Sequence, residues 1–467
     1  MLPSISGFRR QLLAPYPTAL QRWLLKGAVI LAVPVLSILA GLKPTILLLL
    51  PIAAVAALVV LTKQPEIGLV ATVVAGLAVP FSLGTGTATR IPAPMLVIGG
   101  MVGLWALNAV TGKWYGRVRW SRPLLPLLLL ILTTLLAFIL GLLPWYDFAP
   151  GASLAAQLGG VTLFVFSALS FFWVSQQVED LRWLELATWI FVAISVLLLM
   201  SEFWDPFSKI GNRLFTSGLV KGSMFWVWLA ALLFAQILFN RRLHPAVRLA
   251  LTAILGLQLY VAYVTNGDWK SGWVPPLVAL GAILLLRYPR LSILFGLLAI
   301  IPAFDVVQDL IQAEQYSYST RIEAWEIVAE IVKVNPVLGL GPSNYYFYTP
   351  LFPIRGYAVE FNSHNQYIDL IAQVGIVGLI FFLWFLAEIG RMAWRLRTRV
   401  EEGFHKAYVY AVFGGLVSSA FAGMLGDWMI PFVYNVGFRG FRASMFAWIF
   451  FGGLLAIAYQ KGEANDA

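Results

Sequence analysis

The chain has 467 residues, of which 60% are hydrophobic and 12% charged, against roughly 25% charged in an ordinary soluble domain. It holds no cysteine and three histidines, His244, His364 and His405, which excludes a disulfide framework, a thiol nucleophile and a cysteine metal site and makes a histidine-rich one poorly supplied. A net charge of +10 could point to nucleic acid, but the lysines and arginines cluster in short loops between apolar runs, the pattern of a bacterial-type inner membrane protein rather than a nucleic-acid binder.

Fourteen apolar runs near the roughly 20 residues that span a bilayer predict membrane helices. They lie near 27–42, 45–62, 66–84, 93–111, 123–142, 157–176, 183–203, 222–240, 246–264, 273–287, 291–307, 366–390, 407–425 and 441–459. The short 273–287 run and the tight hairpin at Gly41–Pro44 could instead be re-entrant, which would lower the count. The fold class is thus an all-α polytopic membrane protein of about 12–14 transmembrane helices, with one large outward-facing helical loop. Three parts follow: an N-terminal membrane bundle at 1–307, an outer loop at 308–365 and C-terminal membrane helices at 366–467. Arg9 and Arg10 precede the first run without a small-residue cleavage site, so the first run reads as a retained span and not a signal peptide.

Basic residues set the orientation. With the N-terminus inside, 21 of the 32 lysines and arginines fall on cytoplasmic segments, including the dense 391–406 cluster. Both termini are then cytoplasmic and 308–365 faces outward. Of the eleven outward basic residues, Lys209, Arg213, Lys221, Lys270 and Arg321 sit on three loops close to span ends. Positive charge on the disfavoured side suggests an anionic ligand, with contact to lipid headgroups as the plainer alternative.

The outer loop carries the chemistry-bearing pattern. Arg321 and Trp325 form Arg-x-x-x-Trp on a helix whose Ile322, Trp325, Ile327, Val328 and Ile331 recur at helical spacing. Trp325 shares the face of Arg321, so stacking could brace the guanidinium, and Glu323 and Glu326 offer ordinary surface pairing instead. Asn335-Pro336 and the turn Gly339-Leu340-Gly341 follow, with a structural role. Then His364-Asn365 opens an apolar helix containing Val374-Gly375-Ile376-Val377-Gly378. Ser363 with Gln366 fits a capping box, and Asn362 is a rival cap; either puts His364 in the first helical turn, where the macrodipole disfavours imidazolium. A neutral ring able to take a proton is one reading of His364. An interfacial residue packed on the aromatic run at 345–348 is the other. Arg213 lies between Lys209 and Lys221, among glycines 211, 218 and 222 that let backbone amides approach a phosphate. Lys270 follows Asp268, which could neutralise it. No pair of outer carboxylates stands out as a glycosidase pair, and no Asp-x-Asp pattern suggests a metal holding a nucleotide sugar.

The order Arg-x-x-x-Trp, Asn-Pro-x-x-Gly-x-Gly and His-Asn resembles the O-antigen ligase and polymerase family of bacterial surface-polysaccharide glycosyltransferases. The likeness is clearest over about 320–380 and weaker from Arg213 to Trp273. It implies a C-type glycosyltransferase fold, no cofactor, no catalytic metal and no nucleotide sugar. It also implies transfer of a glycan from an undecaprenyl pyrophosphate donor to an acceptor hydroxyl at the outer face of the inner membrane. By that resemblance His364, Arg321 and Arg213 are catalytic, and Lys270, Lys221, Trp325 and Asn365 bind substrate. Expected partners are the lipid-linked donor, a glycan, lipid or protein acceptor, and membrane lipids, with no nucleic acid. One departure is Lys270, where relatives often have an arginine: charge stays, but the bidentate fork is lost. A polymerase of the same family, an anion (bicarbonate-like) transporter and a flippase for the lipid-linked glycan are the alternatives.

Overall fold

A computed structural model describes residues 61, 64–86, 89–110, 118–202, 208–209, 221–290 and 315–462. The chain divides into two compact units, 66–103 with 118–467, and 1–65 with 104–117. Of the second, only residues 61, 64–65 and 104–110 are described. The elements in order are α1 (Ile67–Ala78), β1 (Ser82–Gly84), β2 (Arg90–Pro92), α2 (Ala93–Val110), α3 (Leu124–Leu140), α4 (Leu154–Gln177) and α5 (Leu181–Met200). After these come α6 (Ser223–Phe239), α7 (Pro245–Tyr260), which runs into a π-helical turn at Val261–Thr265, and α8 (Lys270–Arg287). The last are α9 (Gln315–Val332), α10 (Tyr345–Tyr348), α11 (Gln366–Leu396), α12 (Phe404–Gly423) and α13 (Gly437–Gln460).

The chain is an all-α polytopic membrane protein. Six helices, α2, α4, α5, α7 with its π turn, α11 and α13, are long and apolar enough to cross a membrane, and α1, α3 and α6 are shorter apolar helices. Eleven of the predicted runs fall on helices; 27–42, 45–62 (apart from residue 61) and 291–307 lie outside the described residues, as does the Gly41–Pro44 hairpin. The run expected to reach residue 84 stops as a helix at Ala78. Val79 is already extended, with φ −99 and ψ 106, because the residue before a proline is pushed out of the helical region. The chain then forms the antiparallel pair β1–β2, with Ser82 opposite Pro92. At 273–287 one helix, α8, continues through Pro275 and Pro276.

The core is built on α13, whose apolar window is wholly buried, and on α6, buried along nearly its whole length. A helix that is apolar all round belongs in the interior. Trp448 of α13 stacks on Phe385 of α11 with centroids 5.3 Å apart, and Phe446 meets Phe191 of α5 at 4.8 Å. Several polar groups inside bond to helix carbonyls: the Thr134, Thr188 and Ser195 hydroxyls donate to carbonyls four residues back, and Gln258 Nε2 donates across to the Trp226 carbonyl at 2.7 Å. On α3 the stripe Leu125, Leu128, Leu132, Leu135, Leu136 and Ile139 is exposed, the face an outer helix presents to lipid.

Helix polarity sorts the residues into two ends. One end gathers the C-termini of α3, α5 and α7 and the N-termini of α4, α6, α8, α11 and α13, with α9 and α10 beside them. The other holds the C-terminus of α11 and the N-terminus of α12, with ion pairs Arg241–Glu402, Arg242–Glu401, Lys406–Glu402 and Lys461–Glu401.

A joint between loop and helix defines the first end. Helix α11 is broken at Gly375, with φ 69 and ψ −178. The segment 336–341 lies along the break and takes over its backbone bonding. Leu340 N donates to Ala372 O at 2.9 Å and Gly341 N to Gln373 O at 3.1 Å, while Ile376 N donates to Pro336 O at 2.9 Å and Val377 N to Val337 O at 3.3 Å. A Cβ at Gly375 would stand 2.1 Å from Val337 O, and one at Gly339 2.6 Å from Gly375 N. Backbone against backbone is possible only without side chains there.

Candidate active site

Helix α9 docks its apolar face, Val328, Ile331 and Val332, into a cluster with Leu340, Tyr345, Tyr348, Ala372 and Phe432. The same register turns Arg321 and Trp325 toward the start of α11. Asn344, fully buried, fastens this layer to the bundle: its Nδ2 donates to Gly141 O at 2.8 Å and to Leu340 O at 2.7 Å, and its Oδ1 accepts from Ala152 N at 2.8 Å.

His364 is not in the first turn of α11. Asn365 is the N-cap, its Oδ1 accepting from Tyr367 N at 2.9 Å and Ile368 N at 3.4 Å, so His364 stands one residue outside the helix. Ser363 and Gln366 form no capping box. Gln366 is buried and spends its side chain on the 429–430 segment, accepting from Met429 N and Ile430 N and donating to Ile430 O at 3.1 Å. His364 has φ 48, a left-handed conformation that costs a non-glycine residue on the order of 1–3 kcal/mol. The result is an exposed ring on a turn whose flanking residues, Ser363 and Asn365, are buried.

The imidazole pKa lies below its ordinary 6.5, first through desolvation by the surrounding protein and second through the positive charge of Arg321. These causes replace the helix macrodipole expected from the sequence, and the direction is the same: the ring is neutral at neutral pH. Arg321 is half-buried. Its nearby acid Glu323 is engaged by Arg355, with Nε–Oε2 at 3.0 Å and Arg355 N donating to Glu323 Oε1 at 2.9 Å. Among the described residues Arg321 therefore forms no ion pair. Trp325 does not brace it by stacking: its indole Nε1 donates to Ser363 O at 2.8 Å, tying α9 to the residue before His364.

The structure thus brings Arg321, Trp325, His364 and Asn365 together. Lys221 and Lys270 stand at the same end of the bundle but are occupied locally. Lys221 is paired with Glu202. Lys270 Nζ donates to Gly267 O at 3.1 Å, closing its own turn without using Asp268. Arg213 lies outside the described residues.

Ser363, Tyr345 and Asp369, all fully buried, complete the surroundings of His364; of these the motif reading passed over Asp369 and gave Ser363 a capping role it does not have. A lone carboxylate at the head of an apolar helix was the available signal for Asp369. Asp427, also buried, accepts from Phe432 N and Asn435 Nδ2, both at 2.5 Å, and burial raises its pKa. Among the described residues no group of three His, Cys, Asp or Glu could hold a metal ion.

No curated protein matches the chain. Residues 214–383 match the family model described as O-Antigen ligase, and that interval contains α9, the 336–341 joint, His364 and the broken part of α11. The family supports glycosyl transfer of the ligase or polymerase type in polysaccharide biosynthesis. Arg321, which forms no ion pair among the described residues, and His364 thus both lie in the stretch that is similar to the O-antigen ligase family.

Proposed function

We propose that the chain transfers a glycan from an undecaprenyl-pyrophosphate donor to an acceptor hydroxyl at the outer face of the inner membrane, without a metal. One observation carries this reading: Arg321, half-buried and in no ion pair among the described residues, lies beside an exposed histidine held neutral. A cation left without a carboxylate is ready for an anion, and the guanidinium fork suits pyrophosphate. A neutral imidazole is ready for a proton.

In the proposed step the acceptor oxygen attacks the anomeric carbon as His364 takes its proton. The bond from that carbon to the pyrophosphate oxygen breaks, and the lipid pyrophosphate leaves with the bonding pair. Arg321 stabilises the charge that gathers on the leaving oxygens. Arg213 is the second arginine for that role by family resemblance, and Lys221, Lys270 and Asn365 are its supporting residues. Donor binding then rests on the arginines, and the proton transfer on His364.

The test uses purified protein in detergent with a lipid pyrophosphate-linked glycan and an acceptor. Transfer without any ion gradient is expected; a substrate gain seen only in sealed vesicles would establish transport and overturn the proposal. Products that lengthen the lipid-linked glycan itself, with no separate acceptor modified, would assign polymerisation over ligation.

A further inference from the structure

The left-handed turn at His364 is held from both sides. Before it, the Ser363 amide donates to the Tyr345 hydroxyl at 3.2 Å, the Ser363 hydroxyl donates to Asp369 Oδ1 at 2.8 Å, and the Ser363 carbonyl accepts from Trp325. The Tyr345 hydroxyl donates to the same Asp369 oxygen. After it, the Asn365 amide donates to Ser363 Oγ at 3.1 Å. One carboxylate oxygen thus gathers the two hydroxyls that fix the peptide preceding His364. Asp369 sits in the first turn of α11 and is 0% exposed, so it meets no substrate. A buried carboxylate carries a desolvation cost that an apolar residue at the head of this helix would not. Its bonds show what it organises: a turn that the backbone of a histidine does not favour.

We propose that Asp369 is a positioning residue for the transfer reaction, acting through Ser363 and Tyr345 to hold the turn that aims the His364 ring into the site. This rests on the reading of His364 as the base. Asp369 supplies hydrogen-bond acceptance, so an amide oxygen in its place retains part of the function.

Two measurements test it. The first is amide hydrogen exchange of the peptide around 361–366 in the full-length protein without substrate. In Asp369→Ala the Ser363 and Asn365 amides are expected to exchange on the order of tenfold faster, since the bonds that protect them lose their anchor. The second is steady-state transfer. Asp369→Ala is expected to lower kcat on the order of 10- to 100-fold with the donor KM little changed, and Asp369→Asn to recover part of it. In a His364→Ala background the same Asp369→Ala change is expected to cost nothing further, an epistasis that general damage to the fold would not produce. Ser363→Ala, a one-atom deletion, is the companion variant should Asp369→Ala not fold, with the same fall in kcat expected. Unchanged exchange in the Asp369 variants, wild-type kcat in Ser363→Ala, or an undiminished Asp369 effect without His364 would each overturn the positioning role. Normal transfer by His364→Ala would instead refute the base, and the exchange result would still decide whether Asp369 holds the turn.

Discussion

The chemistry proposed for His364 depends on its neutral form, and the two causes that hold it there make separate predictions. Because desolvation by the surrounding protein and then Arg321 lower its pKa, the acidic limb of kcat/KM should lie below pH 6.5, the ordinary imidazole value. Arg321→Gln removes the second cause, so the limb should move up toward 6.5 while donor affinity falls. A limb that stays in place would separate Arg321 from the histidine. The same shift has a stability sign. The unfolded chain takes the proton first as pH falls below 6.5, so folding stability rises with pH between the folded pKa and 6.5 and is flat above. Trp325 supplies the third residue-scale prediction. Trp325→Phe keeps the ring bulk but leaves the buried Ser363 carbonyl without its donor, a loss of about 1–3 kcal/mol. Both thermal stability and kcat should drop, with donor binding retained. The sequence grouped Arg321, Trp325 and His364 and offered stacking on Arg321 as one role for Trp325, beside substrate binding by family resemblance. It could not show the indole's true partner, because Ser363 lies 38 positions away and offers a carbonyl, which every residue has.

At the scale of elements, the two glycine motifs of the sequence, Gly-x-Gly at 339–341 and Gly-x-x-Gly at 375–378, are halves of one joint. The first was visible as a turn, the second read as part of an uninterrupted apolar helix, and the helix α9 that precedes them was legible from its apolar spacing. That they meet was not legible, since the meeting is made by backbone groups that carry no sequence signature. The consequence is a broken α11 whose first segment, 366–374, carries Asn365's cap and Asp369 at a fixed angle to the remainder. Gly375→Ala would place a methyl group 2.1 Å from Val337 O at a φ of +69. Strain of this kind is worth on the order of 1–3 kcal/mol before the clash is counted. We therefore expect loss of folded protein, or protein whose α9 layer is undocked and protease-sensitive. Gly281→Ala in α8 is the control, since nothing lies within 4 Å of its Cβ; limited proteolysis of both variants checks the difference. The Glu323–Arg355 pair belongs to this scale too. It fastens the start of α9 to the 349–357 segment and so engages an acid two positions from Arg321.

At the scale of the whole molecule, the two ends of the bundle differ in charge and in chemistry. The helices place the 391–406 basic cluster at one end and His364 with Arg321 at the other, as the alternation of spans required. The sequence made this separation legible because charge in a membrane protein follows a transport rule as well as a folding one. Its span edges were less legible: the helix at 67–78 ends where Pro80 breaks it, and apolar composition alone continued it to residue 84. Assigning the basic end to the cytoplasm remains our proposal, and absence of native cysteine makes it directly testable. Tyr357 is 68% exposed on the site side, and Thr398 is exposed at the basic end. In intact cells with a permeable outer membrane, Tyr357→Cys should react with a membrane-impermeant maleimide. Thr398→Cys should react only after the inner membrane is opened. The reverse pattern would put His364 on the cytoplasmic face, where a nucleotide-activated donor is available and a lipid pyrophosphate donor displayed outside is not. It would thereby remove the proposed substrate together with the topology. Equal labelling of both sites before and after opening would show leaky cells, which labelling of a known cytoplasmic thiol in the same sample detects.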